Sequence, residues 1–424
     1  MEKKAGDQDG AMPEDGKEDM ATTLVWPTPY QNAGRTGRGA ANGPTSETPK
    51  WTYQAGAESA AWSVLDADGN VLAGFKGKVV CIDPERGTAK WEFSTGGASA
   101  TTCCTGDDGT VYFCAGSTVY ALSPEGEMKW SYEMGATADE PCAHEDAIYT
   151  GSAGGVLVAL DEDGNPKWEK QVTGDIRSPS IDRQGNLYCG GSSLTLYAFD
   201  AQGKELWVAK PAGDVSLGEG YYDWANTLDT PSIGADGTIY AGSMTGPLKG
   251  TGTMPGQLPG DLALGKLYAI SPEGQVKWSY SYSAAGSGSP YLSIHSPSIG
   301  RDGTLYCGTS MWRVLAIDPQ GRLVWEYNTG EGTTVCPSVY SPSIGLDGLL
   351  YVATTSGKMI CINAQRQEQW RFDSGNPWLP SKNSNNMTPP PIGADGTLFS
   401  ILAEVKVYAW PGRGSAGRGK PGGS

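Results

Sequence analysis

The residues that could do chemistry in this chain are few and scattered. Nine cysteines, an odd number, include no Cys-x-x-Cys pair and no spacing that would wrap a metal. Cys81, Cys114, Cys189, Cys307 and Cys361 lie inside apolar, strand-like runs such as LYCGG and MICIN, where a thiol serves as a small hydrophobe. Thiols of that kind suit a reducing compartment, and the stretch 1–43 lacks the apolar segment of a secretory signal. The expected location is cytoplasmic; the alternative, if a signal was removed, is periplasmic or cell-surface. His144 and His295 are the only two histidines and fall in different repeat units, which excludes a His-rich metal site. DADGN at Asp66–Asn70 and DEDGN at Asp161–Asn165 carry the acidic spacing of a calcium loop. They lack its closing Glu and flanking helices, so they are read as turns. No G-x-S-x-G elbow, P-loop or Rossmann strand–Gly–helix unit is present.

Composition narrows the classes further. The net charge of −16 argues against nucleic acid as a partner, because phosphate neutralisation needs an excess of Lys and Arg. No apolar run is long enough to span a membrane as a helix. Trp (14) and Tyr (20) far outnumber Phe (6), as expected for strands whose aromatic tips still reach hydrogen-bond partners.

The elements that position these residues come from a repeat. ALSPEGEMKW (121–130), ALDEDGNPKW (159–168), AFDAQGKELW (198–207), AISPEGQVKW (269–278) and AIDPQGRLVW (316–325) are copies of one unit. CIDPERGTAKW (81–91) and CINAQRQEQW (361–370) are looser copies. Upstream lies a second element: SPSIDRQGNLYCGG (178–191), TPSIGADGTIYAGS (230–243), SPSIGRDGTLYCGT (296–309) and SPSIGLDGLLYVAT (341–354). Each unit reads as four short strands: a small-residue strand, an Asp/Gly turn, two alternating strands around a hairpin, a second turn, and a strand holding the Trp. A turn Gly sits four residues before Trp at Gly87, Gly126, Gly164, Gly203, Gly274 and Gly321; Arg366 departs from the pattern. The Trp positions 51, 91, 130, 168, 207, 278, 325 and 370 make eight units. The last unit (389–410) lacks a fourth strand, and PKWTYQ (49–54) is a fourth strand without the other three. Joining the two ends closes a ring and removes the exposed edges of a linear stack. The expected fold is all-β, an eight-bladed propeller over 46–410, with a flexible leader at 1–45 and a disordered Gly/Arg/Pro tail at 411–424.

The A-x-D-x-x-G-x-x-x-W stretches resemble the tryptophan-docking repeat of the quinoprotein-alcohol-dehydrogenase-like (PQQ-like) propellers, over roughly residues 26 to 410. WPTPYQNAGRTGRGA (26–40) resembles the leader that precedes these repeats in bacterial members. The resemblance implies either of two functions. One is a non-enzymatic scaffold, as in the propeller lipoprotein of the outer-membrane protein assembly machinery. The other is a PQQ- and calcium-dependent alcohol or sugar dehydrogenase. Such dehydrogenases carry a disulfide between adjacent cysteines beside the cofactor, which draws attention to Cys103–Cys104. Both cysteines align with the Pro-Ser of the SPSI strand, however, where small residues need no redox explanation. Asp139, Glu140 and Asp229 are the nominees for calcium ligands, but no local motif ties them together.

Aligning the inner strands places one residue per blade at a channel rim: Ala61, Thr101, Asp139, Arg177, Asp229, His295, Tyr340 and Thr388. Convergent polar groups there are what a ligand mouth looks like. The connections between blades lengthen in the second half, at 208–229, 279–295, 326–340 and 371–388. They bear Tyr221, Tyr222, Trp224, Tyr282, Tyr291 and Trp378, residue types that grip partners. A further insertion spans 244–265. The expected function is non-catalytic recognition of a protein, or alternatively a glycan, through the loop face of blades 4–8, with no cofactor.

Overall fold

The computed structural model describes residues 28, 31–212, 226–245, 265–282, 292–330, 339–375, 389–402 and 405–413. Its strands form eight separate antiparallel sheets, the blades of a closed propeller. Blades 1 to 7 span residues 60–99, 104–133, 142–171, 180–209, 226–282, 298–328 and 343–373. Blade 4 shows the unit plainly: Ser180–Ile181, Leu187–Gly191, Thr195–Phe199 and Glu205–Ala209 pair in that order. In blade 1 one long strand, Val71–Ile82, serves as both middle strands: its first half pairs with Ala60–Leu65 and its second with Ala89–Ser99. Blade 8 closes the ring as the repeat predicts. Trp51–Gln54 pairs antiparallel with Lys406–Trp410, setting Trp51 opposite Ala409 and Gln54 opposite Lys406. No helix among the described residues is long and apolar enough to cross a membrane.

The core lies between blades. Each apolar cluster takes one face from one sheet and one from the next, as where Leu196 and Ala198 of blade 4 meet Ile239 and Tyr268 of blade 5. The repeat Trp is the tie at the outer side. Trp91, Trp130, Trp168, Trp207 and Trp278 donate their indole N–H to a turn carbonyl of the following blade, over 2.7–2.9 Å. The turn Gly of that following blade lies under the indole ring. A Cβ at Gly203 would stand 2.6 Å from Trp168 Cδ2, and Gly203 also has φ of +74°, so glycine is needed for both space and backbone. Arg366 holds the same left-handed conformation, at φ +64°, without being glycine.

A second belt runs near the channel. In the SPSI strands the first Ser accepts from a backbone N–H of the preceding blade, as Ser296 does from Gly242 and Ser341 from Gly308. The second Ser donates to the Pro carbonyl of the next blade, as Ser232 does to Pro297 over 2.6 Å. These buried hydroxyls are satisfied across blade boundaries, which makes the small polar strand a connector, although Ser298 Oγ is buried without a partner.

The leader departs from the expectation of flexibility. Residues 31–44 lie across the ends of the inner strands, held by backbone bonds: Ile181 N–H to Ala33, Ile233 to Gly34, Ile299 to Thr36 and Ile344 to Gly37. Pro44 then accepts from Trp370 Nε1, and Glu47 accepts from Trp410 Nε1. The glycines that read as a linker are there for close approach. A Cβ at Gly37 would stand 2.3 Å from Ser298 Oγ, and one at Gly43 2.5 Å from the Tyr351 ring. The tail is also corrected over its first three residues: Gly412 packs on Gly396, and Arg413 pairs with Asp347 at 2.5 Å.

Candidate functional site at the channel mouth

Of the sequence-predicted residues, Asp139, Arg177, Asp229, His295 and Tyr340 fall among the described residues, as do the rim positions Ala61 and Thr101 and the buried Tyr282. The backbone fixes the common height of the first five. Asp139, Arg177, Asp229, His295 and Tyr340 each lie three residues before an inner strand, and the first four donate a backbone N–H to a carbonyl of residue 151, 190, 242 or 308. Tyr221, Tyr222, Trp224, Tyr291, Thr388 and Trp378 lie outside the described residues, as do 246–264 of the insertion.

Blades 3 to 6 carry a charged arc. Arg177 Nη1 stands 3.8 Å from Asp139 Oδ1, and His295 Nδ1 stands 3.3 Å from Asp229 Oδ2. Beneath Asp139, the Glu140 carboxylate accepts from Arg35 Nη1 at 3.1 Å, both side chains being buried. Burial pulls the Arg177 guanidinium down, but Asp139, Asp229, Glu140 and Asp175 outweigh it and hold its pKa above the ordinary value. Four carboxylates thus face the two guanidiniums of Arg177 and Arg35. Carboxylates there outnumber guanidiniums, so the arc favours a cation in what it receives.

Outside the arc two aromatic rings meet. Tyr340 is buried and packs edge-on against Trp62 of blade 1, ring centroids 4.4 Å apart, so it belongs to the core rather than to an open rim. Trp62 and Arg35 were not found by reasoning from the repeat. Trp62 replaces the small residue of the inner strand, and that break in the pattern is the signal that could have revealed it. Arg35 carried no such signal, since it sits in a segment read as linker.

Cys103 and Cys104 do not form a redox pair here. Both are free and buried. Alternation along the strand sends Cys103 into the packing with Ala100 and Phe113, and Cys104 into that with Tyr112 and Cys114. Burial pushes both thiols well above their ordinary range, and it pushes Cys142 up to about 11. A maleimide reagent at mildly alkaline pH is therefore expected to leave these thiols unlabelled until the protein unfolds. A peptide carrying Cys103 and Cys104 that is two hydrogens lighter before reduction would contradict this packing. Among the described residues, no three His, Cys, Asp or Glu side chains converge as metal ligands. The residues present therefore do not fit a calcium-held quinone beside a vicinal disulfide.

With the repeat, the ring closure and the rim in place, comparison with known proteins decides the family. The family model described as "Outer membrane protein assembly factor BamB" matches residues 115–248 and 184–415. The chain belongs to this family. Among solved structures, BamB from Moraxella catarrhalis is 17% identical, with a TM-score of 0.58 over 86% of this chain and 99% of its own. The Saccharomyces cerevisiae protein Sqt1 is 13% identical, with a TM-score of 0.62 over 88% of this chain and 99% of its own. The computationally designed Ika8 protein is 12% identical, with a TM-score of 0.62 over 85% and 98%. At these identities the likeness is one of fold. No curated protein matches the sequence.

Proposed function

We propose that this propeller is a non-catalytic scaffold that binds a protein partner, within a larger bacterial assembly, at the channel mouth of blades 3–6 and the long connections of blades 4–8. The observation that carries the reading is the acidic arc of Asp139, Glu140, Asp175 and Asp229 around Arg177, on the approaches to consecutive inner strands. A preformed polar centre of this kind selects an oppositely charged side chain and rejects the wrong register. The family description as an assembly factor agrees with it. A glycan partner has no observation in its favour, and the dehydrogenase reading meets the misfit of thiols and carboxylates described above.

Photo-crosslinking in the native host tests the proposal. Crosslinking residues at Thr137 and Thr173 sit on the mouth; Met128 and Val324, 58% and 57% exposed, sit on outer strands. The mouth positions are expected to yield protein adducts, and the double variant D139N/D229N to weaken them about tenfold. Adducts from the outer strands alone would overturn it.

A further inference from the structure

At the other end of the inner strands, a pocket of about 280 Å³ opens between the turns of blades 5 and 6. Ile233, Ile299 and Pro319 give it apolar walls, and Arg38 and Arg301 both line it. Arg38 comes from the leader and is held in place on either side: Ile344 N–H bonds to Gly37 O at 3.0 Å, and Gly39 N–H bonds to Ile344 O at 2.8 Å. Burial, and then the neighbouring Arg301 charge, keep the Arg38 guanidinium below its ordinary pKa. Among the described residues, neither guanidinium has an ion pair or side-chain hydrogen bond. Two like charges facing one cavity repel, and neither guanidinium is paired with an acid, although Asp236 and Asp302 line the same cavity.

The two acids on the same lining are already committed. Asp236 accepts from the Thr238 N–H and hydroxyl and from Lys277. Asp302 accepts from the Thr304 N–H and hydroxyl. They are poor partners for the arginines, and their charges disfavour a dianion more than a monoanion. Arginine forks match the plane of a carboxylate, and the apolar walls suit its hydrocarbon stem.

We propose that this pocket is a carboxylate-binding subsite, in which Arg38 and Arg301 hold the carboxylate of a peptide segment from a partner protein. The carboxylate can be that of a glutamate residue or of a free C-terminus. The proposal is independent of the mouth, since it uses the opposite face and arginine rather than carboxylate groups.

The test is fluorescence anisotropy of the full-length protein at low salt with two labelled probes. One is hexaglutamate blocked at both ends; the other is Ala-Ala-Ala-Leu, acetylated, with a free C-terminus. At least one is expected to bind, and R301Q and R38Q each to weaken it about tenfold. Arg183 holds the position equivalent to Arg301 in blade 4, so R183Q is expected to leave the affinity unchanged. Arg301 is on an exposed turn, so R301Q keeps the test open should R38Q disturb the leader. Hexaglutamate binding alone assigns a glutamate carboxylate; binding of the free C-terminus alone assigns a terminal one. Two results would overturn the proposal: no binding of either probe at millimolar concentration, or equal loss in R183Q and R301Q.

Discussion

Replacing Gly308 by alanine is expected to destabilise the ring by about 3 kcal/mol or more, the upper range of overpacking in a rigid core. The added Cβ would stand 2.1 Å from the Val339 carbonyl oxygen and 2.4 Å from the Tyr340 carbonyl carbon. Those atoms are backbone of the next inner strand, so no rotamer change relieves the clash. Gly74, Gly151, Gly190 and Gly242 meet the next blade in the same way, at 2.2–2.4 Å. Gly348→Ala is the matched control: nothing lies within 4 Å of its Cβ, and only the strain of φ +77° remains. That strain costs about 1–2 kcal/mol. Urea unfolding of the two variants checks the order. Equal losses would mean that the inner strands yield, and that close packing of blades does not hold the ring.

Arg35→Met is the second large effect, about 3–5 kcal/mol at neutral pH, because it removes the guanidinium that pairs with the buried Glu140 carboxylate. Its pH dependence follows from the shift on Glu140. Burial, then Asp139, raise its pKa above the ordinary carboxylate value, and Arg35 opposes them. A carboxyl with a raised folded-state pKa contributes full stability at low pH and loses it as pH rises through that pKa. Without Arg35 the pKa rises further, so the deficit of R35M relative to the parent is expected to widen from mildly acid to neutral pH. R35M/E140L removes both charges and is expected to recover most of the loss. A deficit that is the same at every pH, and that the double variant does not recover, would mean that Arg35 acts by packing alone.

Much of the fold was legible because the repeat reports one geometry many times. The Gly and Trp four residues apart encode a contact between neighbouring blades, and the unmatched PKWTYQ strand encodes the closure. The leader was not legible. Its contacts are made by backbone groups of Ala33, Gly34, Thr36 and Gly37, and a segment recognised through its backbone leaves no apolar period to read. The rim was legible in part. Alignment of inner strands brought out Asp139, Arg177, Asp229 and His295, whose places the repeat dictates. It set Tyr340 among them by the same rule, although its ring turns into the core against Trp62. Side-chain direction just before a strand depends on what lies across the channel, and a single repeat does not contain that information.

We propose a recognition scaffold in preference to a quinone dehydrogenase. Melting of the purified protein with and without PQQ plus Ca²⁺ tests it most directly. A ligand present at a hundredfold its Kd adds about 2.7 kcal/mol to the folded state and moves the transition by a few degrees. The expected result is superimposable curves at saturating PQQ and Ca²⁺. A reproducible upward shift that needs both components, and that D139N/D229N abolishes, would contradict the account and make the charged mouth a cofactor site.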